Sequence, residues 1–246
     1  MLVASYKTFK YHRSLISSVD KFITKEFKSR FDYSFIISYG NFNDLKYNII
    51  EKKAGLICLE NGYENAFSKF NATTRKHIRR FDKIEELKLN FKVDDYDSFY
   101  SFYKKCENSR EWFPIPKSEL FNSKIFYVSY NDKPISGITA YEDNEHIRLG
   151  RIFSSVRLSS HPKRNLIYGV SSKRLVYEFC KYAANNGFSK LDIGGIALNS
   201  NDKSGIKNFK MNFNPQVVPV KIGRYFNLNN KQNFKNTIYK DKLDLT

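Results

Sequence analysis

Residues 167–197, IYGVSSKRLVYEFCKYAANNGFSKLDIGGIA, decide the fold of this chain. Apolar side chains recur at three- and four-residue spacing through the first part of this stretch, which predicts an amphipathic helix of about five turns. Gly187 follows as a C-terminal cap, and FSKLDIGGIA (188–197) then has the pattern of a strand. A helix that crosses between two neighbouring strands makes them parallel. The strand that precedes the helix, in RLGRIFSS (148–155), is therefore predicted to lie parallel to LDIGG.

Working outward, local periodicity defines the neighbouring elements. ELKLNFKV (86–93) alternates as a strand, and residues 94–112 carry aromatic and aliphatic side chains at helical spacing. Residues 124–157 read as three antiparallel strands joined by an Asn-Asp-Lys-Pro turn and an acidic turn. SGIKNFKMNF (204–213) predicts a short helix and VVPVKIGRYF (217–226) a last strand. The order from residue 85 predicts an α+β domain with a mixed central sheet.

The sequence before residue 85 predicts a smaller α/β layer. Residues 14–27 are amphipathic and predict a helix, residues 33–40 predict a strand, and AGLICLE (54–60) predicts a buried strand. A single helix with a strongly cationic end is predicted over residues 63–86. We expect residues 1–84 to form a reduced N-terminal half, residues 85–231 the main domain and residues 232–246 a polar tail.

Composition excludes several classes of protein. The chain has 246 residues, of which 41% are hydrophobic and 16% aromatic, too much apolar surface for a disordered chain. Cys58, Cys106 and Cys180 are scattered, so neither a disulfide scaffold nor a metal-ligand spacing is predicted. The first residues lack the apolar core of a signal peptide, and no run is long enough for a membrane span. We expect a cytoplasmic protein, with peripheral contact at the inner face of the membrane as an alternative.

The chain carries a formal net charge of +17. Such a charge attracts nucleotides, RNA, lipid phosphates and membrane surfaces without choosing among them. The abundance of Lys, Asn, Ile, Phe and Tyr is equally what an AT-rich genome would produce. The basic surface is therefore either functional or compositional.

Three segments resemble the GNAT fold, and within it the Fem-type enzymes that add aminoacyl groups to peptidoglycan interpeptide bridges. They are TTRKHIRRFDK (73–83), KPISGITAYEDNEHIRLGRIFSS (133–155) and GFSKLDIGGIALNSNDKSGIKNFKMNFNP (187–215). The last of these, with its Asp-x-Gly-Gly turn and Phe-Lys-x-x-Phe helix, is the most specific. The resemblance implies two GNAT-like halves with a substrate cleft between them. Only about 85 residues precede the main domain here, so the first half is expected to be reduced.

The resemblance places the Phe-Lys position, Lys210, near the reacting carbonyl, where an ammonium group stabilises a developing oxyanion. Lys207 is three residues earlier on the same helical face. Asp192 stands at the end of its strand, where it either positions an amine and acts as a base or caps the turn by accepting backbone N–H groups. Gly194 and Gly195 permit a close backbone approach, to a substrate or within a bulge.

Three arginines are candidate anion-binding residues. Arg75 and Arg79 are one helical turn apart, so a guanidinium pair there could grip a phosphate, with a solvated basic face as the alternative. Arg151 lies in a strand, where it must find an anion or an internal acid partner. We expect all three to face the cleft between the halves.

Classical GNAT enzymes hold the pyrophosphate of acyl-CoA with a glycine-rich turn at the head of the central helix. In this chain the corresponding stretch, HPKRNLIYGVSSKRL (161–175), contains Arg164 and keeps one glycine, Gly169. Leu166, Ile167 and Tyr168 replace the rest of that turn, which weakens this mode of binding without excluding it. Acyl-CoA, with acetyl-CoA as the simplest case, is the co-substrate that the GNAT resemblance implies, and aminoacyl-tRNA is the alternative that the Fem-type resemblance implies. None of the four histidines joins a triad or a metal-ligand spacing, so no metal and no covalent nucleophile are predicted.

The resemblance implies an acyltransferase that acts on the amino group of a sugar or of a glycan precursor for the cell envelope, a role in polysaccharide biosynthesis. The substrate would be an anionic small molecule or a lipid-linked glycan. Transfer from aminoacyl-tRNA is a rival with the same fold. A non-catalytic RNA-binding or scaffold protein that uses the +17 charge is a rival from another class.

Overall fold

A computed structural model of the chain describes residues 2–6, 9–16, 33–40, 42–43, 47–91, 93, 95–108, 117–142, 147–155, 160–196 and 204–226. They fall into two compact units. The first comprises Met1–Lys52, Phe113–Asn122 and Pro219–Thr246, and the second Lys53–Trp112 and Ser123–Val218. The elements in chain order are β1 (Leu2–Tyr6), β2 (Phe9–Ile16), β3 (Tyr33–Ser38), β4 (Asn48–Cys58), α1 (Gly62–Lys69), α2 (Ala72–Phe81), β5 (Leu87–Asn90), α3 (Tyr96–Asn108), α4 (Lys117–Phe121), β6 (Lys124–Tyr130), β7 (Lys133–Glu142), β8 (Ile147–Ser154), α5 (Arg164–Asn185), β9 (Lys190–Gly195), α6 (Ser204–Met211) and β10 (Gln216–Phe226).

The first unit orders its strands β1-β2-β3-β10. The β2–β3 pair is parallel, and the pairs on either side of it are antiparallel. Phe42 and Tyr47 pack with Ile36 in a small core, and the ring of Phe42 fills the space that a Cβ at Gly223 would need. The helix predicted over residues 14–27 is wrong in its first three residues, which end β2; the rest of that prediction, residues 17–27, lies outside the described part of the chain.

The second unit contains the elements that the sequence predicts from residue 85 onward. Its strand order is β4-β9-β8-β7-β6-β5. β8 and β9 are neighbours and parallel, as the crossover through α5 predicts, and the other described pairs are antiparallel. Asn131 and Asp132 both have positive φ, which confirms the predicted tight turn between β6 and β7. The predicted α+β class with a mixed sheet is confirmed.

Helix α5 crosses the sheet and forms the centre of the core. Its apolar side chains, such as Val170, Leu175 and Phe179, are buried against strand residues that include Ile147 and Leu191. Burying a side chain of this size stabilises the fold by about 1.5–3 kcal/mol. The helix begins at Arg164, one turn before the periodic pattern, and Gly187 follows its end at φ +81°, the left-handed conformation predicted for a cap.

The single helix predicted over residues 63–86 is wrong, because the chain forms two helices there. α1 ends at Lys69, and Asn71 begins α2 with an extended backbone, φ −61° and ψ 156°. The Asn71 side chain accepts a hydrogen bond from Thr74 N at 2.7 Å, as an N-cap does. A helix could not continue through Asn71 without losing this cap.

The compact units also differ from the expected division at residues 84 and 85. The second unit begins at Lys53, because β4 pairs with β9 from Ala54 to Cys58 and because α1 and α2 pack against α5. Residues 53–84 thus share the core of the predicted main domain. Residues 232–246, the expected tail, lie outside the described residues.

Candidate active site

The sheet of the second unit opens between β8 and β9. Their described pairing covers two positions, Ile147 with Leu191 and Arg148 with Asp192. Beyond this point β8 continues to Ser154 alongside β7, and β9 continues along β4, where Ile196 N donates to Lys53 O. Beyond Arg148 and Asp192 the two strands therefore follow different neighbours.

A β-bulge in β8 explains why the strands separate. Ile138 pairs with Ile152 and Ala140 with Leu149, so β8 has one residue more than β7 over this interval. Gly150 lies there against Thr139, where a Cβ would come within 2.5 Å of Thr139 Oγ1. The same hydroxyl accepts a hydrogen bond from Arg151 N at 3.0 Å. Because a bulge bends its strand and increases its twist, β8 turns away from β9.

A buried ion pair closes the base of the opening. Arg148 and Asp192 stand side by side in the parallel register and form a salt bridge, with side chains 10% and 1% exposed. The other carboxylate oxygen of Asp192 accepts the backbone N–H of Gly194. Asp192 therefore makes the turn contact that the sequence suggested and also pairs with a cation that sequence reasoning missed. The sequence contained one indication of this pair: Arg148 lies in a strand predicted to run parallel to the strand that contains Asp192.

Lys210 of α6 lies over this ion pair. Its Nζ donates to Gly195 O at 2.8 Å. Burial, together with the positive charge of Arg148, lowers the pKa of Lys210 to about 8, while the carboxylate of Asp192 acts in the opposite direction. A lysine with such a pKa exchanges its proton near neutral pH. Lys207, on the same helix, is half-buried.

Of the two glycines after Asp192, Gly194 is the one the geometry requires. Its φ of +87° is rarely adopted by other residues, and a Cβ there would lie 3.1 Å from Lys210 Nζ and 3.9 Å from an Arg148 nitrogen. Gly195 has more room, its nearest neighbour being Lys53 O at 3.8 Å. The turn thus brings the backbone directly under the Lys210 ammonium group.

Arg151 finds an internal acid partner. One guanidinium nitrogen donates to Tyr103 Oη at 2.7 Å and to Glu107 Oε1 at 2.9 Å, and the side chain of Glu107 is 1% exposed. Burial raises the pKa of Tyr103, which keeps its hydroxyl protonated as a donor to Glu107. These contacts link β8, directly after its bulge, to α3.

Arg75 and Arg79 make separate contacts within the helical layer. Arg75 donates to the carbonyl oxygens of Ser68, at 2.8 Å, and of Phe70, and so caps the end of α1. The guanidinium group of Arg79 lies 5.4 Å from the centre of the Phe67 ring. Among the described contacts, none joins either arginine to Lys210, and their binding of a substrate stays a prediction.

The two residues predicted to bind the donor cofactor lie at the start of α5. Arg164 is its first residue and is exposed. Gly169 is the sixth residue of the helix, and a Cβ there would contact the ring of His77 at 3.8 Å. Gly169 is therefore part of a packed helix and not of a turn before it, so its role in binding acyl-CoA stays a prediction.

Within the described ranges, no three His, Cys, Asp or Glu side chains gather as they would around a metal ion. The helices described also include none with the length and apolar character of a membrane span.

Neither a protein-family model nor a curated protein matches the chain. Solved structures do. The C-terminal domain (DUF2156) of a candidate lysylphosphatidylglycerol synthetase from Agrobacterium fabrum superposes with a TM-score of 0.56 at 9% identity, over 88% of this chain and 78% of that one. FemX superposes with a TM-score of 0.55 at 11% identity, over 80% and 67%. L-PGS from Bacillus licheniformis gives 0.50 at 10% identity, over 78% and 68%. The chain therefore has the GNAT-type fold of the Fem-like acyltransferases.

Proposed function

We propose that this protein is an acyltransferase that moves an acyl group from an activated donor, acyl-CoA, to an amino group on a sugar or glycan precursor. One observation carries the proposal: Lys210, with a pKa of about 8, lies over a buried Arg148–Asp192 pair where β8 and β9 separate. A cation with a tuned pKa beside an opening in a sheet is a candidate catalytic group.

The proposed chemistry is direct attack. The amine nitrogen bonds to the acyl carbonyl carbon, and the carbonyl oxygen becomes negatively charged. The carbon–sulfur bond to coenzyme A then breaks, and the proton lost by the amine leaves with the thiolate or to solvent. The ammonium group of Lys210 stabilises the oxyanion, which exists only in the transition state and intermediate. No residue forms a covalent bond to the acyl group.

The other residues of the cluster position Lys210. Asp192 holds Arg148 and the Gly194 turn together, and the carbonyl of Gly195 orients the ammonium group. Because these partners are fixed before substrate binds, little reorganisation is needed during the reaction. Lys207, half-buried on α6, and the Gly194–Gly195 backbone are proposed to contact the acceptor.

Transfer of an amino acid from aminoacyl-tRNA is a second candidate. The name lysylphosphatidylglycerol synthetase, carried by the Agrobacterium fabrum protein, describes a product in which an amino acid is joined to a lipid. The net charge of +17 suits an RNA donor and an acceptor at the inner face of a membrane. The reaction at Lys210 would be the same, because an aminoacyl ester also passes through an oxyanion.

Donor-dependent transfer tests both candidates. The protein is incubated with an amino sugar and, separately, with labelled acetyl-CoA, longer acyl-CoAs or charged tRNA, and the labelled product is measured. Label in the amino sugar from acyl-CoA supports the first candidate, and label from charged tRNA supports the second. If no donor gives a product, and RNA binds with the steep salt dependence of phosphate contacts, the protein is the non-catalytic RNA binder.

A further inference from the structure

A hydrogen bond between two basic side chains joins helices α2 and α5. Lys173 Nζ of α5 and His77 Nδ1 of α2 are 3.0 Å apart. An ammonium group can only donate a hydrogen bond, so the imidazole nitrogen accepts it, and His77 is neutral with its proton on Nε2. The two helices pack against each other, with Ile78 and Phe81 of α2 buried. This bond between the helices therefore requires an unprotonated His77.

Lys173 is a buried cation, 8% exposed. In the part of the chain that the structure describes, its hydrogen bond is to His77, and no carboxylate pairs with it. Burial lowers the pKa of Lys173, because water no longer solvates the charge. The neutral imidazole ring thus supplies part of the solvation that the ammonium group has lost, and the ammonium group depends on it.

The charges around His77 are positive. Burial is the largest cause that lowers the pKa of His77, followed by Lys173 on α5 and by Arg80 and Lys76 on α2 itself. Among the described residues, no carboxylate of α1, α5, α6 or the sheet contributes to this shift. A protonated imidazole ring therefore gains no partner in this position.

The acids at the contact between α2 and α5 are already paired. Arg174 of α5 donates to both carboxylate oxygens of Asp82, which follows α2, at 2.8 and 2.7 Å, and to Glu178 at 2.7 Å. Carboxylates paired in this way keep their charge in mild acid, because their ordinary pKa is already about 4. His77 is thus the group of this contact that responds to mild acid.

We propose that His77 and Lys173 form an acid-sensitive switch, in which protonation of His77 breaks their hydrogen bond and detaches α2 from α5. Proton linkage gives the direction of the effect. A detached helix binds the proton with the ordinary histidine pKa of 6.5, and the attached helix binds it only at lower pH. Attachment is therefore complete above this pH, and below it the ratio of detached to attached helix rises by up to about tenfold per pH unit.

Detachment of α2 reaches the candidate active site through the start of the helix. Asn71, which begins α2, donates from its backbone to Asn212 O at 3.0 Å and from its side chain to Asn212 Oδ1 at 2.5 Å. Asn212 directly follows α6, the helix that carries Lys210. The switch acts well below the pKa of Lys210, so its effect on acyl transfer is separable from that of Lys210. This link to acyl transfer alone rests on the proposed function.

Hydrogen exchange of backbone amides tests the switch on the full chain without donor or acceptor. Mass spectrometry follows the exchange between about pH 7.5 and about pH 5, the range in which histidine titrates, with rates corrected for the intrinsic effect of pH. Protection of α2 is expected to fall by up to about tenfold per pH unit below the histidine pKa, while α3, which packs against β8, keeps its protection. An equal loss in both helices would overturn the proposal, because the whole chain would then be unfolding.

Two histidine variants assign the response. In His77→Asn, the side-chain oxygen lies near the position of Nδ1, accepts from Lys173 and does not titrate, so α2 is expected to stay protected in acid. His161→Asn is the matched control, because His161 Nδ1 also accepts a hydrogen bond, from Lys163 N at 3.1 Å; it should respond as the wild type does. A wild-type response in His77→Asn contradicts the switch. The Tm of each variant at neutral pH verifies that it folds.

An NMR titration of the His77 ring measures the pKa itself. In the wild type it is expected below 6.5, and in Lys173→Met it should rise, because the ammonium group is gone and an apolar chain takes its place. A wild-type value of 6.5 or above, or no rise in Lys173→Met, refutes the pairing of the two residues as a switch.

The exchange of α6 decides whether the switch extends to Lys210. Peptides that cover α6 are expected to lose protection over the same pH range as α2. Loss in α2 with unchanged protection of α6 would refute the regulation of acyl transfer. Because exchange needs no substrate, failure of the proposed function leaves this result intact, and an absent switch leaves the transfer assays intact.

Discussion

The chemistry of Lys210 follows from three neighbours that act in different directions. Burial removes water from its ammonium group, and Arg148 adds a like charge, so both lower the pKa; Asp192 alone raises it. The result, about 8, leaves the group mostly charged at neutral pH, yet close to the point where it loses its proton. A charged group that is half-buried and held in place by a hydrogen bond can stabilise an oxyanion that forms beside it.

Replacing Lys210 tests this role directly. Lys210→Ala is expected to lower kcat by about 100-fold, or ~2.7 kcal/mol, while KM changes little, because the lost contact forms only as charge develops on the carbonyl oxygen. Lys210→Arg should recover little activity, since a planar guanidinium group cannot occupy the same point. Steady-state kinetics with the donor and acceptor found above provide the measurement. Wild-type turnover in Lys210→Ala would remove Lys210 from the mechanism.

The pH profile gives an independent test. An activity that needs the charged form of Lys210 is complete below the pKa of about 8 and is lost as the pH rises through it. Asp192→Asn removes the carboxylate that raises this pKa, so the loss of activity is expected to begin at lower pH. Glu142→Gln, which removes a partly exposed carboxylate paired with Lys124, is the control and should leave the profile unchanged. A rise in activity through pH 8 would instead identify Lys210 as a base.

At the scale of elements, the end of β9 places the backbone of Gly194 directly beside the Lys210 ammonium group. Gly194→Ala should lower the free energy of unfolding for two reasons. Alanine is strained at a φ of +87°, and its Cβ would lie 3.1 Å from Lys210 Nζ. Gly62→Ala is a matched control, because Gly62 has φ +79° but nothing within 4 Å of a Cβ.

We expect Gly62→Ala to lower the free energy of unfolding by about 1–2 kcal/mol, the cost of the left-handed backbone alone. Gly194→Ala should exceed this loss and should also lower kcat, since its methyl group displaces the ammonium group. Chemical denaturation and steady-state kinetics measure the two effects. Equal stability losses together with wild-type kcat in Gly194→Ala would show that Lys210 does not depend on this contact.

The link between α3 and β8 belongs to the same scale. Arg151→Ala removes the guanidinium partner of the buried Glu107 carboxylate, which keeps its ion pair with Lys104 and the hydrogen bond from Tyr103. Leaving a buried charge wholly unpaired costs ~3–5 kcal/mol, and the two remaining partners reduce that cost. Because the Arg151 side chain is 22% exposed, we expect the lower end of that range. Substrate affinity, once a substrate is known, should stay near that of the wild type.

Lys88→Ala supplies the comparison for Arg151→Ala. It breaks the exposed Lys88–Asp132 pair, whose side chains are 62% and 77% exposed, and should change the free energy of unfolding by less than about 1 kcal/mol. Denaturant titration measures both variants. A substrate affinity reduced by ~1–3 kcal/mol in Arg151→Ala, at unchanged stability, would make Arg151 an anion-binding residue.

Elements whose signals are local could be predicted from the sequence, and contacts between distant segments could not. The pattern from residue 167 to 197 predicts α5, β9 and their parallel partner, because each signal lies within a few residues. The Arg148–Asp192 pair depends on the register between two strands 44 residues apart, which no local pattern encodes. The break at Asn71 was missed because apolar spacing alone ignores a capping side chain.

At the scale of the whole molecule, the charge of +17 has more than one structural role. Some cations are internal partners: Arg148 pairs with Asp192, Arg151 with Glu107, and Arg174 with both Asp82 and Glu178. Others, such as Arg80, Lys83 and Lys163, are exposed. Net charge alone therefore overstates how much of the basic character is available to an anionic partner, and a functional test must separate specific from diffuse binding.

Measuring the Tm of the protein with each ligand at low and at high salt distinguishes specific from diffuse binding. A donor that binds the native state alone adds ~2.7 kcal/mol at 100 times its Kd, which for a chain of this length raises Tm by roughly 5–10 °C. We expect an acyl-CoA to give such a shift and to retain most of it in high salt, because a small ligand contacts few charges. A shift caused by diffuse RNA binding should disappear, since each released counterion adds to the salt dependence. Lys210→Ala should keep the acyl-CoA shift while losing turnover, as expected for a residue that acts on the transition state. A shift with charged tRNA that survives salt, and none with any acyl-CoA, would replace the proposed donor with aminoacyl-tRNA.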